Sequence, residues 1–208
     1  MGAGAGSNKP VNSDGYWWSN DGLRLHYRDY GGAQGACNGR PPILCLPGLT
    51  RNARDFEGFA TRLSPAWRVL AIDLRGRGES GFAKDPMTYV PLTYTQDLER
   101  LLLTLEIDRF VIVGTSLGGI VAMLLAATHQ GRIAGAVLND VGPEIEASGL
   151  KRLRGLVGRA ASWPTWLHAA HAGGQRWCDL SQLCTERLAR HGQAALPSNS
   201  GGTHRARL

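Results

Sequence analysis

Four short apolar runs divide the chain into a regular alternation of elements. They occupy residues 43–46, 69–72, 110–113 and 133–138, and each is followed directly by glycine, proline or a polar residue. Runs of this length that are apolar at consecutive positions are typical of strands buried on both faces, as in a parallel sheet covered by helices. The pattern therefore predicts four central strands.

Helical periodicity fills two of the intervals between these runs. Leucines recur at i, i+3, i+4 and i+7 from Leu98, and Thr93 or Thr95 is available as the N-cap of that helix. Residues 120–127 are almost wholly apolar, as in a helix packed on a sheet. Strands that alternate with helices in this way form right-handed βαβ crossovers, so the predicted fold class is α/β.

A two-stranded hairpin is predicted ahead of the first central run. Residues 16–18 lead into a turn at Asn20–Gly22, after which apolar side chains at 23, 25 and 27 alternate with polar ones at 24, 26 and 28. This alternation predicts a hairpin with one buried face.

The segment Gly114-Thr115-Ser116-Leu117-Gly118 matches G-x-S-x-G and lies directly between a predicted strand and a predicted helix. Glycines allow the tight turn, which would hold the Ser116 hydroxyl at the helix N-terminus. There the free N–H of Leu117 could stabilise an oxyanion. The alternative interpretation is a glycine-rich turn that carries an ordinary serine.

Acyl-transfer sites use a second oxyanion donor, which a loop after another strand can supply. Residues 46–52 follow the first central run, and Gly48 would let the backbone approach a bound carbonyl group. The N–H of Leu49 is the candidate donor. An ordinary strand-to-helix turn is the alternative.

Four segments together carry a resemblance to the α/β-hydrolases: residues 46–52, 73–80, 114–119 and 139–144, in the order and spacing of that family. The resemblance covers about residues 16–160. It implies a mostly parallel central sheet flanked by helices, a Ser116 nucleophile, and a loop after Asp73 that braces the site through structural side chains. Serine at position 116 separates the chain from the dehalogenases and epoxide hydrolases, which carry aspartate there. The implied partner is a small-molecule acyl substrate, with no cofactor.

The family's triad continues from the serine to an acid and then a histidine, and a serine needs such a base to become a good nucleophile. Asp140, after the fourth central run, is either the catalytic acid or a loop-structuring residue. His26 lies in the hairpin and His129 at the far end of the helix after Ser116, so neither is expected to serve as the base. His168 and His171 fall in the segment where the family inserts a lid, and are expected to be exposed lid residues. His191 and His204 lie in a tail with no apolar strand run before them. The base therefore stays unassigned.

The C-terminal part does not complete the expected fold. Residues 1–149 carry a net charge of −1, whereas residues 150–208 carry +7 and contain no apolar strand runs. We expect the last strands to be missing and this part to be truncated, replaced or translated out of frame. We expect a flexible N-terminus at residues 1–15 and a hydrolase core at 16–142. A partial lid is expected at 143–172, followed by a basic tail at 173–208 that is poorly ordered or forms one helix.

Several other classes of protein are not expected. No window reaches the roughly 18 apolar residues of a membrane span, and the first ten residues lack a signal-peptide core, so a cytoplasmic protein without membrane contact is predicted. The four cysteines have no metal-site or disulfide spacing. The basic tail lacks a nucleic-acid-binding module.

Two functional hypotheses remain: a serine hydrolase of esters, lactones or related acyl compounds, and a catalytically incomplete hydrolase that at most binds a ligand.

Overall fold

The computed structural model describes residues 12–31 and 39–142. The chain divides into two units, Met1–Ala147 and Ser148–Leu208, and every described residue belongs to the first. The predicted lid and basic tail therefore lie outside the described residues. No helix in the described ranges is long and apolar enough to cross a membrane, and a cytoplasmic location stays a prediction.

One six-stranded mixed sheet forms the centre of the described unit. Its strands are β1 (Asn12–Trp18), β2 (Arg24–Tyr30), β3 (Ile43–Leu46), β4 (Val69–Asp73), β5 (Phe110–Thr115) and β6 (Ile133–Asn139), in the spatial order β1-β2-β4-β3-β5-β6. β2 pairs antiparallel with β1 and β4, and the pairs β3–β4, β3–β5 and β5–β6 are parallel. The four predicted central strands and the α/β fold class are confirmed.

Helices connect the strands and cover the sheet. Three α-helices are described, α1 (Glu57–Leu63), α2 (Pro91–Thr104) and α3 (Leu117–Thr128), and 3₁₀ helices span Ala53–Phe56 and Pro86–Thr88. α2 starts earlier than predicted, with Val90 as its N-cap and Pro91 in its first turn. Proline suits this position because its fixed φ is already helical and it lacks an N–H that would have no partner.

β3 and β4 are buried at every position, and because alternate side chains of a strand point to opposite faces, both of their faces are buried. β6 lies at the edge of the described sheet and is exposed at most positions, so the expected burial on both faces is wrong for this strand. Leu44 and Leu46 of β3 join the larger apolar cluster with Leu98 of α2 and Val121 of α3. Ile43 and Cys45 belong to the smaller cluster with Ala60 of α1. The continuous apolar runs of β3 and β4 therefore reflect helices on either side of the sheet.

The N-terminal hairpin differs from its prediction in two respects. β1 starts at Asn12, so residues 12–15, assigned to a flexible N-terminus from the sequence, form half of a strand. His26 lies on the face predicted to be polar, yet it is fully buried. Burial on that face is possible because carboxylates flank the histidine ring, as described below.

Candidate active site

Ser116 occupies a strained turn between β5 and α3. Its backbone lies at φ 50° and ψ −112°, a combination that side-chain-bearing residues rarely adopt. Its N–H donates to the Asn139 carbonyl at 2.9 Å, and its own carbonyl accepts from Gly119 and Ile120 at 2.9 and 3.1 Å. β6 and the first turn of α3 therefore hold the strained residue in place.

Two glycines allow α3 to begin directly against the sheet. A Cβ atom on Gly118 would lie 2.2 Å from the Leu46 carbonyl oxygen, and one on Gly114 would lie 2.5 Å from the Gly118 carbonyl oxygen. Real Cβ atoms do not come this close to backbone oxygen atoms, so only glycine fits at either position. The close approach fixes the start of α3 relative to β3.

The loop after β3 passes beside Ser116. Leu46 pairs with Gly114 across the β3–β5 ladder, so both loops leave the sheet at the same edge. A Cβ atom placed on Gly48 would lie 3.8 Å from the Ser116 Cβ. Among the described residues, the N–H groups of Leu49 and Leu117 donate to no protein acceptor. Leu117 follows Ser116 and Leu49 follows Gly48, so the backbone segments that carry both N–H groups meet beside the serine, and backbone N–H groups of this kind can hold an oxyanion.

Asp73, at the end of β4, joins the two loops that border the site. Its carboxylate accepts from the N–H of Ala53 at 2.7 Å and from the N–H of Glu79 at 2.9 Å, and it lies 2.8 Å from His26 Nδ1. Burial raises the pKa of Asp73, but these three hydrogen bonds outweigh burial and leave its pKa below the ordinary value. The ionised carboxylate therefore connects β2 with the loops after β3 and β4.

His26 lies between two carboxylates. Its Nδ1 contacts Asp73 and its Nε2 lies 3.1 Å from Asp14 Oδ1, while the ring is fully buried. Burial lowers the pKa of His26, but the hydrogen bonds to Asp73 and Asp14 dominate, so the pKa is raised. Both ring nitrogens are occupied, and His26 is therefore a structural residue that does not act as a base for Ser116.

Arg75 anchors the loop after β4 to the rest of the unit. Its buried guanidinium donates to both carboxylate oxygens of Asp97 in α2 at 2.8 and 2.7 Å, and to Asp21 in the β1–β2 turn at 2.9 and 3.2 Å. Pairing with Asp97 raises the pKa of Arg75. Burial raises the pKa of Asp97 despite this pairing, whereas the hydrogen bond from Arg75 lowers the pKa of the more exposed Asp21. Arg75 is therefore one of the structural side chains expected in the loop after Asp73.

Comparison with known proteins identifies the family. Residues 41–190 match the family model described as the alpha/beta hydrolase fold, which covers more than half of the chain. The chain belongs to the α/β-hydrolase family.

Individual α/β-hydrolases and other hydrolases are similar to parts of the chain. A crystal structure of an α/β-hydrolase from Novosphingobium aromaticivorans is 59% identical, with a TM-score of 0.73, over 79% of this chain and 56% of that one. The 3-hydroxybutyrate-oligomer hydrolase of Cupriavidus necator is 34% identical over 60% of this chain and 42% of its own length. A serine hydrolase-like protein of Danio rerio is 36% identical over 51% of this chain and 32% of its own length. The chain thus spans about half or less of these relatives.

Asp140, the predicted acid of the α/β-hydrolase triad, follows β6 directly. It is exposed and has a φ of 56°, in the left-handed region that aspartate tolerates better than most residues. The neighbouring Asn139 binds the Ser116 N–H through its carbonyl. Asp140 is therefore the neighbour in sequence of a residue that contacts Ser116. Its φ also suits a loop-structuring residue.

The described histidines do not supply the base of the α/β-hydrolase triad. His129 caps the C-terminal end of α3, where its Nδ1 lies 2.8 Å from the Thr128 hydroxyl. Ser116 precedes the other end of this helix, roughly 18 Å away at about 1.5 Å per residue. The remaining histidines lie outside the described residues: His168, His171, His191 and His204. Within the described ranges no group of three or more His, Cys, Asp or Glu residues could hold a metal ion.

Sequence reasoning missed the polar network beneath the site. The Asp73–His26 pair and the Arg75–Asp97–Asp21 cluster join segments far apart in the chain. One local signal was available, because Asp97 falls among the leucines of α2 at a position that the helix buries. A carboxylate there requires a buried cation as its partner.

The His26–Asp73 pair is expected to make stability depend on pH. A raised pKa in the folded state means that this contribution is complete below the ordinary pKa of histidine and declines as pH rises through the folded value. Compared with His26→Asn, the wild-type chain should lose on the order of 1 kcal/mol of unfolding free energy as pH rises from 6 to 9, because a charge-assisted hydrogen bond becomes neutral. Urea denaturation at several pH values measures this difference.

His129→Asn serves as the matched control for this prediction, because His129 lies at the end of α3 and away from Asp73. This variant retains the His26–Asp73 pair, so adding His26→Asn to it should change the unfolding free energy by the same amount at each pH as adding it to the wild-type chain. If the curves of the wild type and His26→Asn run parallel between pH 6 and 9, the ion pair makes no pH-dependent contribution.

Proposed function

We propose that this α/β-hydrolase cleaves a small ester, lactone or related acyl compound with Ser116 as the nucleophile. The proposal rests mainly on one observation: the strained Ser116 turn leads directly into Leu117 and lies beside Gly48, the residue before Leu49. The similarity to hydrolases of other organisms supports the general reaction class.

In the proposed reaction, the Ser116 hydroxyl oxygen forms a bond to the substrate carbonyl carbon while a base accepts the hydroxyl proton. The N–H groups of Leu49 and Leu117 donate to the oxyanion that results, and the positive end of α3 adds to its stabilisation. The leaving alcohol departs with the proton from the base. Water then cleaves the acyl-enzyme in the same manner, which releases the acid and restores the serine.

Asp140 is the proposed acid that orients the base. β6 pairs with β5, so the residue after β6 emerges at the same edge of the sheet as Ser116. The hydrogen bond from Ser116 N–H to the Asn139 carbonyl brings the backbone of these two loops together. An acid in this place could reach a base that faces the serine hydroxyl.

A catalytically incomplete chain that at most binds a ligand is the second candidate function. It is favoured by the position of the described histidines, since His26 is buried between carboxylates and His129 lies at the far end of α3. A serine without a base remains a weak nucleophile. The two candidates differ in whether Ser116 is reactive.

A fluorophosphonate probe and p-nitrophenyl butyrate distinguish the two candidates. The proposed hydrolase should release nitrophenol and form a covalent phosphonate adduct on the peptide that contains Ser116, detectable by mass spectrometry. Asp140→Asn keeps a residue that tolerates a positive φ but removes the charge, and should slow both reactions about 10²-fold or more if Asp140 orients the base. An unlabelled Ser116 with no ester hydrolysis would favour the incomplete chain, whereas full activity of Asp140→Asn would leave Asp140 a loop residue.

A further inference from the structure

Arg77 contacts the loop that carries the proposed oxyanion donor. Its Nε donates to the Leu49 carbonyl at 3.0 Å, and its Nη1 donates to the Arg75 carbonyl at 2.7 Å and to the Tyr94 hydroxyl at 3.1 Å. The guanidinium carbon also lies 5.8 and 5.4 Å from the ring centroids of Tyr89 and Tyr94. The side chain is thus held at several points and has little freedom to leave Leu49.

The segment that carries Arg77 is itself fixed to the sheet. The N–H of Arg77 donates to the Leu74 carbonyl, and the N–H of the nearby Glu79 donates to the Asp73 carboxylate. Arg77 therefore connects the loop after β4, which is held rigidly, to the loop after β3.

Two hydrogen bonds determine how the Leu49 N–H is oriented. The Gly48 carbonyl accepts from the N–H of Arg51 at 3.1 Å, and the Leu49 carbonyl accepts from Arg77. In a trans peptide, the carbonyl of one residue and the N–H of the next point in opposite directions. The Leu49 N–H consequently points away from the Arg51 turn, and the Arg77 bond restrains the peptide plane that follows it.

We infer that Arg77 is a positioning residue for the reaction, which keeps the Leu49 N–H directed at the developing oxyanion. This inference rests on the proposed function. Arg77 acts on the substrate only through Leu49, so its loss should lower kcat and leave KM nearly unchanged, because the oxyanion forms only in the transition state. Loss of a complete oxyanion donor costs about 10²–10³-fold in kcat, and loss of its alignment should cost roughly 10–10²-fold.

The test compares Arg77→Met and Arg77→Lys with the wild-type chain on p-nitrophenyl butyrate and on its thiono analogue, in which sulfur replaces the carbonyl oxygen. Sulfur accepts hydrogen bonds poorly, so the ratio of the two rates reports how well the oxyanion donors are aligned. Arg77→Met should lower kcat about 10–10²-fold and bring the oxo-to-thiono ratio closer to one. Arg77→Lys retains a cation but not the planar set of donors, and should fall between Arg77→Met and the wild type.

Arg54→Met is the matched control. Arg54 precedes α1 in the same region, is two-thirds exposed and pairs only loosely with Glu79 at 3.6 Å. This variant should retain the wild-type kcat and rate ratio. If the Arg77 variants are folded and keep both values, the positioning role is wrong while the proposed hydrolase stands. If the wild-type chain hydrolyses neither ester, the proposed function itself fails and the inference falls with it.

Discussion

Ser116→Ala should lower kcat for p-nitrophenyl butyrate by roughly 10³-fold or more. The substitution removes the proposed nucleophile but leaves the N–H groups of Leu49 and Leu117, which alone can support a small residual rate. The Ser116 side chain makes no capping hydrogen bond to α3, so the fold loses no hydrogen bond with it. Steady-state kinetics of the purified variant measures the effect.

Ser116→Gly separates catalysis from backbone strain at the same position. Glycine adopts the φ of 50° and ψ of −112° without steric cost, which relieves about 1–3 kcal/mol of strain but loses roughly 0.5–1 kcal/mol of extra chain entropy on folding. This variant should therefore be more stable than the wild type by up to about 2 kcal/mol while being as inactive as Ser116→Ala. Ser64→Ala removes a serine hydroxyl at the end of α1 and should keep full activity. Equal rates for Ser116→Ala and the wild type would exclude Ser116 as the nucleophile.

Arg75→Met should lower the free energy of unfolding by about 3–5 kcal/mol, because it leaves the buried carboxylate of Asp97 without its cation. Asp97 is only 4% exposed and accepts two hydrogen bonds from Arg75. The loss should be smaller at acid pH, where Asp97 becomes protonated and carries no charge. Urea denaturation of the variant at neutral and acid pH measures both effects.

A double-mutant cycle distinguishes the ion pair from simple packing. Arg75→Met combined with Asp97→Leu removes both charges and should recover much of the stability lost in Arg75→Met alone. Asp21→Asn is the matched control, since Asp21 is 46% exposed and its contact with Arg75 is screened by solvent. If the double variant is as unstable as the sum of the single ones, Arg75 and Asp97 are not coupled.

Elements that depend on local apolar pattern could be predicted from the sequence. The four central strands follow apolar runs, and α3 follows an apolar stretch after the Ser116 motif. Helix α1 was missed because its seven residues include Gly58 and bury only Ala60, so no apolar periodicity marks it. The N-cap of α2 was predicted at Thr93 or Thr95, and this is wrong because Pro91 already begins the helix.

Only the two loops that supply backbone groups to the candidate site could be predicted from the sequence. The G-x-S-x-G motif and the Gly48 loop are continuous in sequence, and the parallel pairing of β3 with β5 places them side by side. Contacts between side chains from distant segments, such as Arg77 with Leu49 and His26 with Asp73, depend on how the loops pack in three dimensions. The alternating pattern of β2 predicts that His26 faces solvent, which is wrong. A local pattern contains no information on Asp73 of β4, the partner that allows the histidine to be buried.

The pairing of β3 with β5 also bears on the order of folding. Leu46 and Gly114 come from opposite ends of a long intervening segment that contains β4 and α2, so their contact requires the closure of a large loop. Contacts of such large sequence separation slow folding, whereas helices such as α2 form from local contacts. The Ser116 turn and the Leu49 loop therefore meet only when this long-range pairing forms. In a folding intermediate with intact helices but an unpaired β5, the residues of the site would not yet be assembled.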